Sequence, residues 1–207
     1  MSTGPVQLCN RALTMVGGAT ITALTDSSKE GILSNLHYAP IRDEVMQTGH
    51  WSFARARFGP LTHEVTPPAF EFSGSHLLPS DSLRVVWAGT DQKTDIQLDS
   101  YEIEDNKLLA DVTTSSIYIK YIKQVTDTTK FSPLFDSALS MRLAAELAIP
   151  VAESAGLANT LFQKYLALLD RAEAMDGRQG RNQVTTQARH IRARWSQSSG
   201  GVAFSGG

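Results

Sequence analysis

Few residues of this chain have the types and spacings that chemistry requires. Ser73-Gly74-Ser75-His76 sets hydroxyls beside an imidazole, the ingredients of nucleophilic catalysis. Adjacency in sequence is not triad geometry, however, and a polar turn is the simpler reading. Glu102 and Glu104, two apart on an expected strand, would share a face and imitate the carboxylate pair of a glycoside hydrolase. Such pairs arise by chance among 21 acids, and a solvated strand face explains them as well. The histidines at 37, 50, 63, 76 and 190 include no pair three or four apart, so no helical metal face can be built from them. The single cysteine, Cys9, excludes an internal disulfide framework and a Cys-only zinc site. Its place on an apolar helix face suits a buried, inert thiol. A GxSxG elbow, a Walker loop, GxGxxG and HExxH are all missing. No catalytic residue, cofactor or metal is expected.

Charge is more informative. The net charge of -2 hides an asymmetry, because Arg178, Arg181, Arg189, Arg192 and Arg194 are accompanied by no acid from 178 to the end. That tail carries +5, which leaves -7 on the rest of the chain. With Trp195 and Phe204 as anchors, the tail suits folding onto a partner whose acidic surface pairs with the arginines. It also suits neutralising the phosphates of nucleic acid, or a solvated extension without a role. No apolar run approaches the ~18 residues of a membrane span and the N-terminus is no signal peptide, so neither membrane insertion nor secretion is expected.

The elements that position these residues change character twice. Residues 5–16 read as a helix, with Pro5 in the first turn and Val6, Cys9, Leu13 and Val16 on one face, ended by Gly17 and Gly18. Ser27 and Glu30 suggest a capping box for a second helix, striped by Leu33, Leu36, Ile41 and Val45 and kinked by Pro40. Short strands are expected at 83–87, 96–98, 101–103, 107–110 and 117–122, with Ile117, Ile119 and Tyr121 on one face and turn chemistry at Gly74, Asp105 and Asn106. Ser132 and Pro133 open a third helix that Pro150 interrupts. A fourth, 153–175, carries Ala158, Leu161, Tyr165, Leu168, Ala172 and Met175. The fold class expected is α+β, mainly a helical bundle (1–58 and 131–176) with a β-rich insertion (59–130) and a flexible basic C-terminal extension (177–207). Between helix and insertion, His50, Trp51 and Phe53 read as an aromatic plug. Arg55 and Arg57 follow it, either pairing with acids of a neighbouring subunit or solvated.

These last residues open a longer pattern. The runs APIRDEVMQTGHWSFARAR (39–57), LPSDSLRVV (78–86), YEIEDNKLLAD (101–111) and IYIKYIKQVTDTTKFSPLFDSALSMRLAAELA (117–148), in this order, resemble the tail tubular protein A family. These proteins are head-to-tail adaptors of short-tailed bacteriophages. The resemblance covers about 5–176, and the tail lies outside it. It implies packed helices carrying a β-rich part, and a twelve-subunit ring beneath the portal of the filled capsid. That ring extends the DNA channel and meets the nozzle or next tail protein. It further implies a virion protein of the tail neck, free in the host cytoplasm before assembly, that lets genomic DNA pass without binding it specifically. By analogy with adaptors whose C-terminal extensions reach into the portal, Arg178, Arg181, Arg189, Arg192, Arg194 and Trp195 become portal-binding residues, and Arg55 and Arg57 a possible subunit interface. Disordered tails that order only on the portal imply a monomer when free. Two other classes compete. One is a nucleic-acid-binding module using the arginine tail. The other is a phage-borne cell-wall hydrolase using Glu102 and Glu104.

Overall fold

The computed structural model describes residues 4–91 and 97–179. Residues Met1–Asp176 form the first of two units. The first is α+β but not a mainly helical bundle. It has helices α1 (Pro5–Met15), α2 (Lys29–Thr48), α3 (Pro133–Ala152) and α4 (Ala155–Gln179). Between α2 and α3 lie β1 (Arg55–Phe58), β2 (Thr62–Glu64), β3 (Gly74–Leu77), β4 (Ser82–Gly89), β5 (Glu102–Glu104), β6 (Lys107–Ala110) and β7 (Tyr118–Lys123). They form two antiparallel sheets, ordered β1-β7-β4 and β2-β3-β6-β5. The bundle expectation fails because the sheets bury a core of their own: Leu61, Leu78, Ala88, Leu108, Ile117, Ile119 and Tyr121 cluster apart from the helices. They form a second layer with its own core beside that of the helices.

Strand β7 belongs to both halves. Its Ile119 and Tyr121 face the sheet core, as the alternation in sequence requires, while Ile122 turns the other way into the helical core. That second core gathers Leu8, Leu13, Val45, Trp51, Phe135, Leu139 and Leu143. The expected boundary at 58/59 therefore falls just beyond β1, which already pairs with β7 from Arg55 to Phe58.

Local signals explain most helix ends. Gly17 takes φ 73, and the Gly18 N–H closes α1 on the Leu13 carbonyl at 2.9 Å. The cap of α2 is Ser28, not Ser27: its hydroxyl accepts from the Gly31 N–H at 3.1 Å. Gly31 also packs against the backbone of Asp26, where a Cβ would collide. Leu36 leaves the expected stripe. The buried face of α2 is Gly31, Ser34, Tyr38, Ile41, Arg42, Val45 and Met46, and Leu36 lies on the opposite side. Ser132 caps α3 through the Phe135 N–H at 3.2 Å. Pro150 does not stop this helix, since it removes only its own donor within the last turn, and the end comes at Glu153 with φ 50. On α4 the buried positions are Leu161, Tyr165, Leu169 and Ala172, with Leu168 half-buried. Helix α4 runs on through Gly177 and Arg178, three residues into the segment expected to be a flexible extension. Asp105 and Asn106, at φ 44 and 58, make the tight turn between β5 and β6. Gly74 is within β3 instead of a turn, because a Cβ there would strike the Val112 carbonyl.

Candidate functional site

The patch around Trp51 is a joint between the helical and β layers. After α2 ends at Thr48, Gly49 lets the indole fold back under the helix; a Cβ there would overlap the ring. Trp51 Nε1–H then donates to the Val45 carbonyl at 2.7 Å, which also accepts the Gly49 N–H that closes α2. The ring meets Phe135 edge-on at 5.1 Å, and Phe53 meets Phe135 at 5.0 Å and Phe131 at 5.4 Å. This cluster locks the start of α3 to the end of α2. Such edge-to-face pairs each add about 0.5–1.5 kcal/mol beyond the area they bury. The plug is therefore core, as its residue types suggest.

Polar contacts complete the joint. Arg84 of β4 donates to the Gly49 carbonyl and to His50 Nδ1, each at 3.4 Å. Arg55 reaches the His50 carbonyl at 3.5 Å, so two guanidiniums sit at the electronegative C-terminal end of α2. Gln47 donates to the Leu83 carbonyl at 3.1 Å, and Gln124 to Asp43 at 2.6 Å. Arg142 of α3 clamps Glu44 of α2 at 2.9 Å and Glu146 at 2.8 Å, and lies 5.6 Å from the centre of the Phe162 ring of α4. Sequence reading missed Arg84 and Arg142. Glu146, four residues after Arg142, was the one local signal, and the remaining partners are remote in sequence.

The expected site residues divide accordingly. Arg55 and Arg57 are exposed on the same face of β1, Arg57 directly opposite Lys120 of β7, whose ammonium stands 4.6 Å from the Trp87 ring. Arg55 thus serves the joint, while Arg57 presents a cation outward. Arg178 lies on the last turn of α4, and Arg181, Arg189, Arg192, Arg194 and Trp195 are outside the described residues.

The catalytic candidates are not brought together. Ser75 and His76 point to opposite faces of β3, with the Ser75 hydroxyl donating to Glu64 at 3.3 Å and His76 Nε2–H to the Val112 carbonyl at 2.8 Å. Ser73 bonds to Asp111 instead. His76 is fully buried and its ring meets that of His63 edge-on at 5.2 Å; burial holds its pKa below the ordinary imidazole value. Glu102 and Glu104 are exposed on β5, Glu104 opposite Lys107. Cys9 is buried, and burial pushes its thiol up to about 11. Among the described residues no group of three His, Cys, Asp or Glu could hold a metal ion, and no helix is long and apolar enough to cross a membrane. No protein-family model and no curated protein matches the chain.

Proposed function

We propose that the chain is a structural head-to-tail adaptor of a tailed bacteriophage. Twelve copies form a ring between the portal and the nozzle or next tail protein, extending the channel through which genomic DNA passes. The observation that carries this reading is the joint itself. Three of the four runs that resemble the adaptor family, 39–57, 78–86 and 117–148, are far apart in sequence yet converge there through Trp51, Arg84, Gln124, Phe135 and Arg142. That packing holds the helical and β layers in fixed relation, which a ring component needs. The body's net charge of -7 suits a channel wall, since it gains nothing from close contact with DNA. The arginines from Arg178 to Arg194, with Trp195, serve as the portal-binding segment, and the protein works in the tail neck of the virion.

Native mass spectrometry of the full chain and of a chain ending after Gln179, each alone and with the portal of the same phage, tests this. The full chain is expected to be monomeric alone and to load twelve copies per portal, and the shortened chain to fail to load. If neither form binds the portal, the adaptor reading falls. Salt-sensitive DNA binding lost with residues 180–207 would then favour the nucleic-acid module.

A further inference from the structure

Two exposed apolar features of the compact unit stand beside charges of opposite sign. The first is the β2–β3 loop, where Val65 is 95% and Phe70 80% exposed. That exposure is imposed by the backbone. Glu71 is held at φ 73, and the Phe72 N–H donates to the Phe70 carbonyl at 2.9 Å, a γ-turn of the strained hand. A side-chain-bearing residue held there costs about 1–3 kcal/mol and persists only where its surroundings dictate it. Here Phe72 is buried, and Ser73 donates both its N–H and its hydroxyl to Asp111, at 3.1 and 3.2 Å. Pro67 and Pro68 restrict the other arm. Phe70 is thus presented outward on a loop with little ordering left to lose on docking.

The second feature is a depression of about 440 Å³ beside the N-terminal half of α2, lined by Leu24, Asp26, Ile32, Asn35 and Leu36 among others. Ile32 and Leu36 are 59% and 64% exposed and lie one turn apart, away from the helix's buried face. Helix α2 is therefore apolar on both sides, more than burial in its own core requires. The charges also match. Lys29 shares the outer face three residues before Ile32, Glu71 stands beside Phe70, and neither has an ion-pair partner among the described residues.

We propose that the β2–β3 loop of one copy seats Phe70 in the α2 depression of the next, with Glu71 meeting Lys29. Two different patches on one chain make a heterologous contact, which closes into a ring when the rotation between copies allows. The ring rests on the adaptor reading; the contact between copies is testable apart from it. Full-length Phe70→Cys and Leu36→Cys variants are mixed, with and without portal, and joined by a short bis-maleimide. Cys9, buried, stays silent. On the portal the expected result is a 36–70 product forming at least ten times faster than any product of either variant alone, or of Phe70→Cys with Val86→Cys, a control site 47% exposed. Equal rates for 70–70 or 36–36 joining overturn the contact. So does absence of the 36–70 product on portals carrying twelve copies, an outcome that leaves the adaptor reading standing. A 36–70 product from a chain that never loads on the portal keeps the contact and removes that reading.

Discussion

At the scale of single residues, His76 shows how a side chain with catalytic potential is put to structural use. Its Nε2–H is held by the Val112 carbonyl and its ring is buried beside His63, so the folded state favours the neutral imidazole. The unfolded chain, with a pKa near 6.5, takes up a proton at higher pH than the folded one. Stability is therefore complete above that value and is lost as pH falls below it toward the lower folded pKa. Urea titrations between pH 7.5 and 5 are expected to show this loss in the native chain and a flatter profile in His76→Gln; identical slopes would remove His76 as its source. The sequence motif containing His76 was visible, but its strand was not foreseen. Alternation along β3 is what separates Ser75 from His76, and no reading of four adjacent residues as a turn could show it.

At the scale of elements, legibility followed locality. The ends of α1, the start of α3, the turn at Asp105 and Asn106, and the sheet-facing side of β7 were all written in residues within a few positions of one another. The stripe of α2 was misread because apolar residues occupy both of its sides, so periodicity alone could not tell the inward set from Ile32 and Leu36. Pro40 bears on the same helix. It is exposed on the outer side and deprives the Leu36 carbonyl of its usual donor, yet α2 continues through it to Thr48. Replacing it by alanine restores that bond. Pro40→Ala is expected to stabilise the chain by about 1–3 kcal/mol, partly offset by a freer unfolded chain, as read from urea midpoints. Unchanged or lowered stability would mean that the ring of Pro40 is itself packed.

At the scale of the whole molecule, the joint at Trp51 was legible only as a list of residue types. The aromatic plug could be named, but its partners Phe131 and Phe135 come from a segment some 80 positions later, and only folding brings Arg84 and Arg142 to it. The sheets were underestimated for a related reason: each strand is short, and their common core exists only once seven of them pair. Because β7 sends Ile122 into one core and Ile119 and Tyr121 into the other, neither core can loosen without exposing a strand that the other needs. Melting of residues 1–176 is accordingly expected as a single calorimetric transition, with a van't Hoff enthalpy equal to the calorimetric one; two resolved peaks would contradict it. Under load the same strand acts as a tie-bar, passing a pull applied to the helices directly to the sheets, so that residues 1–176 yield as one piece or not at all.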